Sequence, residues 1–211
     1  SCSVWGSPKH ISKSWRTTDN ALENEAELRN DSFLNLDELR QAVPKAVSDI
    51  VYMLTGGQGK ARSTKAGKNR DAKQFSLMYT STGEVTLEEH LRRGSIELDA
   101  GLLLRFAHIP SDAGKGYGVF DCINYGIAPH DVGNRINELA SQHYGHAGIK
   151  WLKYLTQDKD AVMQKAQTLL DSFIEQHSHI KNGQASRVLR RFALVATAGE
   201  LATQAGITGW Q

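Results

Sequence analysis

The stretch Ser32-Phe33-Leu34-Asn35-Leu36-Asp37-Glu38 is a short apolar run that ends in two adjacent carboxylates. Its length and composition predict a buried β-strand. Such a strand would deliver both carboxylates to one edge of a sheet. The same letters also fit an ordinary strand followed by a solvated turn, so the surrounding sequence has to decide between the two interpretations.

Apolar periodicity around this run predicts an alternation of strands and helices. The predicted strands are 11–15, 33–36, 75–79 and 102–109, and the predicted helices are 20–29, 43–54 and 86–93. Beyond about residue 130 the pattern is helical, with helices at 130–156, 159–178 and 184–205. This order predicts an α/β core over 1–125, followed by a C-terminal helical subdomain over 126–211.

The composition is typical of a globular protein with room for one or two domains. The chain has 211 residues, of which 40% are hydrophobic and 23% are charged. No apolar run approaches the ~20 residues needed to cross a bilayer, and the N-terminus lacks the apolar segment of a signal peptide. Cys2 and Cys122 have no spacing typical of a zinc site or a disulfide framework. We therefore expect a cytoplasmic protein with reduced thiols and no membrane partner.

The net charge is only +2, but the charges are unevenly distributed. Residues 19–38 carry seven acidic side chains against one arginine, whereas residues 60–73 carry six basic side chains against one aspartate. Basic loops of this kind contact nucleic-acid phosphates without reading sequence, although a solvated surface loop is the alternative. The loop has no aromatic side chain, so base stacking is not predicted. The predicted phosphate contacts are Lys60, Arg62, Lys65, Lys68, Arg70 and Lys73.

A phosphate-binding loop of the form GxxxxGK[ST] is absent from the sequence. Gly59-Lys60 is followed by Ala61, and neither Gly67-Lys68 nor Gly114-Lys115 has a glycine five residues earlier. The backbone amides of such a loop cradle the phosphates of ATP. This chain alone is therefore not predicted to be a complete ATPase.

Ser81-Thr82-Gly83-Glu84 comes directly after a predicted strand. Hydroxyls at this position fit a plain turn and helix cap. Equally, they can lie beside a γ-phosphate and orient water, next to a strand whose Asp-Glu end holds Mg²⁺ and positions that water.

Several motifs occur together in a fixed order. They include Leu36-Asp37-Glu38, Gly57-Gln58-Gly59-Lys60-Ala61-Arg62, Ser81-Thr82-Gly83-Glu84, Ile109-Pro110-Ser111-Asp112-Ala113-Gly114, Phe192-Ala193-Leu194-Val195-Ala196 and Gly199-Glu200-Leu201-Ala202. Taken together, they resemble the uncharacterised helicase-related domain family of phage, plasmid and genomic-island proteins. Members often lie behind a primase-type domain and are described as related to, or inactivated derivatives of, superfamily II helicases.

The resemblance implies a RecA/AAA-like P-loop NTPase core that lacks its first strand and its P-loop, followed by a helical lid. In that family the Walker A loop lies just upstream of the point where this sequence begins. Asp37 would hold Mg²⁺ through water, Glu38 would polarise the attacking water, and Ser81 and Thr82 would occupy the sensor position. Mg²⁺ and ATP are the implied cofactors of the complete protein, and we expect neither to bind tightly to this chain. Asn35 departs from the usually apolar Walker B strand, although a sheet face can satisfy its side chain.

Analogy with hexameric P-loop helicases gives the basic loop 59–73 a position between the Walker B helix and the sensor strand. There it would project into a central channel and touch DNA. Arg92 or Arg93 would act as an arginine finger toward a neighbouring subunit, and Arg190 or Arg191 as a lid sensor. The purely structural alternatives are favourable placement at a helix C-terminus for the first pair and the polar face of an amphipathic helix for the second. The implied partners are DNA, further copies of the chain up to a hexamer, and a primase domain in the same chain or complex.

The leading functional hypothesis is the C-terminal portion of a DNA-dependent ATPase or helicase from a mobile-element primase–helicase. Its activity would depend on an upstream Walker A segment. The alternative is a non-catalytic DNA-binding or assembly module derived from such an ATPase, which the missing Walker A loop and Asn35 favour. A nuclease using Asp37 and Glu38 as metal ligands ranks last, because no further carboxylates occur at useful spacing.

Overall fold

The computed structural model describes residues 1–63, 69–97, 100–112, 114–123 and 126–210, without the side chains of residues 62, 63, 69, 70 and 100. Its strands are β1 (Ser12–Ser14), β2 (Phe33–Asp37), β3 (Arg62–Ser63), β4 (Asn69–Arg70) and β5 (Met78–Ser81). Its helices are α1 (Cys2–Trp5), α2 (Pro8–Ile11), α3 (Asp19–Leu28), α4 (Pro44–Gly56), α5 (Leu87–Arg93), α6 (Ala100–Arg105), α7 (Pro129–Gln142), α8 (His146–Gln157), α9 (Lys159–Gln176) and α10 (Gly183–Gln204), with a short 3-10 helix at Leu39–Gln41. None of these described helices is both long enough and apolar enough to span a membrane.

A small parallel sheet organises the first part of the chain. Its order is β1-β2-β5, so β2 lies between two parallel neighbours. Leu34 and Leu36 of β2 are fully buried, as expected for a central strand covered by helices. The sequence-based expectation of an α/β fold is thus confirmed at the level of a mixed architecture with a three-stranded parallel sheet.

Helices α3, α4, α5 and α6 complete the core around this sheet. Helix α4 begins with Pro44 at its first turn, where the missing N–H costs nothing, and ends at Gly57 with φ of 67°. Its Val47, Ile50 and Val51 are buried at helical spacing. Helix α5 begins at Thr86, whose side chain accepts from the Glu89 N–H at 3.0 Å, in agreement with the predicted cap.

The chain divides into two compact units, one formed by residues 2 and 9–135 and the other by residues 1, 3–8 and 136–211. We refer to them as the α/β unit and the helical unit. In the helical unit, Asp158 is the N-cap of α9 and Asn182 is the N-cap of α10, and both side chains accept hydrogen bonds from backbone N–H groups. The assignment of 1–125 as a P-loop-type core and 126–211 as a lid stays a prediction.

Three sequence predictions of secondary structure are wrong. The predicted strand 102–109 does not form: residues 102–105 belong to helix α6, which packs on α4 and buries Leu102. The predicted helix 130–156 is two helices, broken at Gly145, which has φ of 79°. The strand predicted at 75–79 begins only at Met78; Phe75 is in the core but outside the ladder.

Candidate functional site at the carboxyl edge of the sheet

The structure brings Asp37 and Thr82 together at the carboxyl edge of the parallel sheet. Leu36 and Ser81 are partners in the β2–β5 register, so the residues that follow them are also neighbours. The Thr82 hydroxyl donates to Asp37 Oδ1. Main-chain bonds fix the pair, because the Thr82 N–H donates to the Leu36 carbonyl at 3.0 Å and the Thr82 carbonyl accepts from the Leu39 N–H at 3.1 Å.

Ser81, the other predicted sensor residue, is held by a tryptophan that sequence reasoning did not place in the site. The Trp15 indole N–H donates to Ser81 Oγ at 2.9 Å. Trp15 is almost completely buried, and its backbone N–H donates to the Asp37 carbonyl at 3.0 Å. An indole can only donate, so the Ser81 hydroxyl remains a donor, and in this structure Ser81 Oγ donates to the Thr82 carbonyl at 3.4 Å. The sequence signal for Trp15 was its position at the end of a predicted strand.

Glu38 occupies an unusual backbone position directly after the strand. Its φ of 63° and ψ of 60° lie in the left-handed region, which is uncommon for a residue with a side chain and costs about 1–2 kcal/mol. Its carboxylate accepts from Gln41 Nε2 at 2.9 Å. The turn places both Asp37 and Glu38 in exposed positions while Leu39, the next residue, is buried.

Asn35 lies inside the strand and hydrogen-bonds to both neighbouring strands. Its Nδ2 donates to Ser12 Oγ at 2.8 Å, and its Oδ1 accepts from Thr80 Oγ1 at 2.9 Å. Ser12 and Thr80 are its register partners on β1 and β5. Ser12, Asn35 and Thr80 thus form a row of hydrogen-bonded side chains across all three strands, which we call the polar ladder. The expectation that a sheet face would satisfy this side chain is confirmed.

The carboxylate edge is compatible with one mode of magnesium binding. Mg²⁺ commonly takes one or two carboxylates and completes its shell with waters and phosphate oxygens. Asp37 and Glu38 are adjacent and exposed, while within the described ranges no three His, Cys, Asp or Glu side chains form a metal-binding group. The donor set therefore fits a cation shared with a phosphate ligand, and does not provide a cage made of protein groups alone.

The basic loop contains an antiparallel ribbon of β3 and β4, in which Arg62 is the register partner of Arg70. Lys65 and Lys68 lie outside the described residues, and the side chains of Arg62 and Arg70 are likewise not described. Lys60 and Lys73, at the base, both contact helix α3. The predicted role of these six residues in DNA binding stays a prediction.

The arginines predicted to contact nucleotide lie on two helices. Arg92 and Arg93 end α5 and form ion pairs within that helix, with Glu88 at 2.6 Å and with Glu89 at 2.5 Å. Arg190 and Arg191 are exposed on α10 in the helical unit. Their proposed nucleotide contacts also stay predictions.

Comparisons with known proteins find a matching family model and a similar solved structure. Residues 1–74 match the family model described as "Domain of unknown function (DUF927)". A solved structure titled "SCCmec type IV Cch - active helicase" is similar, with a TM-score of 0.63 and 22% sequence identity. The similarity covers 92% of this chain and 32% of that chain, so this chain spans about a third of that helicase. No curated protein matches significantly.

Proposed function

We propose that this chain is part of a DNA-dependent ATPase of helicase type from a mobile genetic element. The observation that carries the proposal is the Asp37–Thr82 pair, which joins a carboxylate at the end of the central parallel strand to a hydroxyl at the end of the next strand. The similarity in fold to an active SCCmec helicase supports it. In open sheets with parallel strands, ligands bind beyond the carboxyl ends of the strands, where this pair lies.

Each residue at this edge has a distinct role in the proposed site. Asp37 would hold Mg²⁺ through water, and Thr82 fixes the orientation of that carboxylate. Mg²⁺ would neutralise charge on the phosphates of the nucleotide. Glu38 would accept a hydrogen bond from the attacking water. Ser81, held by Trp15, would donate a hydrogen bond toward the phosphates of the nucleotide.

The proposed site needs a phosphate-binding loop that these 211 residues do not contain. Strand β5 pairs with β2 on one side, and none of the described strands pairs with its other side. We place the strand that leads into the missing loop at this edge, because a parallel neighbour there would end beside Thr82. ATP hydrolysis would therefore belong to a longer chain or to a complex.

The alternative function is a DNA-binding or assembly module without catalysis. The specific observation in its favour is the absence of the GxxxxGK[ST] loop from the sequence. Both functions include non-specific DNA binding through the basic loop 59–73, which contains the β3–β4 ribbon. They differ in whether Asp37 and Glu38 take part in nucleotide binding.

The test is DNA-stimulated ATP hydrolysis by the full-length natural protein that contains this chain. Glu38→Gln keeps the size of the side chain and removes its charge. We expect hydrolysis to fall by about 10²-fold or more, because the neutral amide oxygen still accepts a hydrogen bond but polarises the water far less than a carboxylate does. Glu84→Gln is the matched control, since Glu84 is an exposed glutamate after Thr82 that pairs with Arg40 at 3.3 Å. Unchanged hydrolysis in Glu38→Gln would reject the catalytic assignment.

The same protein preparations also test the alternative function, a DNA-binding module without catalysis. A wild-type protein that binds DNA but hydrolyses no ATP would support the binding module. Reversing the charges of Lys65, Lys68 and Arg70 should then abolish salt-sensitive DNA binding, because each phosphate contact contributes to the salt dependence. DNA binding that survives this charge reversal would show that the basic loop 59–73 is not the DNA-binding element in either function.

A further inference from the structure

One face of helix α3 carries a row of acidic residues that meets the base of the basic ribbon. Asp19, Glu23 and Glu27 are spaced by four residues, which places them one above another on a helix. The acidic stretch and the basic loop noted in the sequence are thus partners within the same fold. Some of the charges that suggest an external partner are therefore paired with each other within the protein.

Both ends of the ribbon base are tied to this face. Lys60 Nζ lies 2.8 Å from Asp19 Oδ2, near the start of α3. Lys73 Nζ donates to Asn24 Oδ1 at 2.7 Å and also to the Glu27 carboxylate, toward the end of the helix. The Lys73 side chain is only 21% exposed, which is low for a lysine on a loop.

Backbone contacts close the base between these two lysines. The Gly59 N–H donates to the Lys73 carbonyl at 2.8 Å, and the Phe75 N–H donates to the Gly57 carbonyl at 2.9 Å. Gly59 also lies directly against Glu23, which is 1% exposed, so that a Cβ at position 59 would collide with the Glu23 carboxylate. The base therefore follows α3 over about two turns of the helix.

We propose that Lys60 and Lys73 are positioning residues that clamp the ribbon base to α3, and that they are not among the residues that contact DNA. The proposal rests on the DNA binding proposed above for the ribbon. It changes the interpretation of the sequence, because these two lysines bind the protein's own carboxylates. Lys73 already uses two of its three N–H donors on Glu27 and Asn24 before any phosphate arrives.

Hydrogen exchange of the Gly59 and Phe75 amides tests the clamp without DNA. Lys73→Gln and Glu27→Gln should each raise the exchange of both amides by about two- to fivefold, the range expected for losing a partly exposed ion pair. The double substitution should add little to Lys73→Gln, since both single changes remove the Lys73–Glu27 ion pair. Lys45→Gln, at an exposed lysine on α4, is the matched control and should leave both amides unchanged.

DNA affinity then separates the clamp from a direct phosphate contact. If Lys73 clamps the base, Lys73→Gln and Glu27→Gln weaken binding alike, and the exchanged pair Lys73→Glu with Glu27→Lys restores it. If Lys73 contacts phosphate, Glu27→Gln strengthens binding, because it removes a repulsive carboxylate. That result, or unchanged exchange at Gly59 in both single variants, would overturn the proposal. A wild-type protein that does not bind DNA would reject the proposed function, whereas the exchange data would still decide the clamp.

Discussion

The α/β unit and the helical unit differ in how completely they bury their apolar side chains. In the α/β unit, one continuous cluster joins β2, α3, α4 and α5, and it includes the fully buried Leu34, Leu36 and Val51. In the helical unit, the buried residues among those described are Gly148, Val162, Ala193, Thr197 and Leu201. Many of its apolar side chains are instead exposed, including Ile136, Leu139, Ile149, Leu152, Met163, Phe192, Leu194 and Val195.

This difference shows what helical periodicity predicts and what it does not. The spacing of apolar residues defines a face on each helix, and it does so equally well in both units. An apolar helix face is buried only where a second layer of structure packs against it over the same width. The sheet provides one for α4 and α5, whereas α7 has no buried residue. We therefore expect side-chain truncations to be costly in one unit and nearly silent in the other.

The largest expected effect is a truncation in the central strand. Leu36→Ala removes a fully buried side chain from β2, and we expect the free energy of unfolding to fall by about 2–5 kcal/mol. Leu152→Ala makes the same chemical change at a side chain that is 51% exposed on α8, and should change it by less than about 0.5 kcal/mol. Urea unfolding followed by circular dichroism measures both. Equal losses would show that the helical unit is packed as tightly as the sheet.

A smaller effect is expected from the polar ladder inside the sheet. Asn35→Leu fits a strand but leaves the Ser12 and Thr80 hydroxyls without the amide that they contact. We expect a loss of about 1–3 kcal/mol in the free energy of unfolding, since these groups lose a partner in a largely buried place. Asn137→Leu, at an exposed position on α7, is the control and should be nearly neutral. A stabilised Asn35→Leu variant would mean that the ladder serves the site at the expense of stability.

The elements best predicted from the sequence are those determined by local rules. The strand around Leu34, the cap at Thr86, the helix that begins at Pro44 and the two last helices, α9 and α10, all follow from neighbouring residues. The predicted strand 102–109 was wrong for the same reason: a short apolar run fits either a buried strand or a buried helix, and the local pattern cannot decide. Tertiary contacts decide there, since α6 packs on α4.

The candidate site was predictable in part. The proximity of Asp37 and Thr82 follows from the rule that parallel strands end at one edge, once both strands are recognised. The partner of Ser81 could not be predicted, because Trp15 lies 66 residues away and only the register of the sheet joins them. The contacts of Lys60 and Lys73 with α3 were equally hidden, since basic side chains in a loop carry no signal of an intramolecular partner.

The smallest expected effect concerns histidines in the two units. His90 of α5 is 4% exposed and its Nε2 has no hydrogen-bond partner among the described residues, whereas His143 in the helical unit is exposed. Burial lowers the pKa of His90, and the nearby Arg93 lowers it further, although a hydrogen bond to the Ala42 backbone acts in the opposite direction.

Because the pKa of His90 is lower in the folded state, the unfolded chain takes up the proton first as the pH falls. The stability that His90 contributes is therefore fully present above the ordinary histidine pKa of about 6.5 and is lost as the pH falls through the folded value. His90→Gln should flatten the decline of the free energy of unfolding between neutral and mildly acidic pH, whatever its effect at neutral pH, and His143→Gln, at an exposed histidine, is the control for the substitution itself. An identical slope in His90→Gln would mean that another group is responsible for the acid sensitivity, and would remove this distinction between the buried and the exposed histidine.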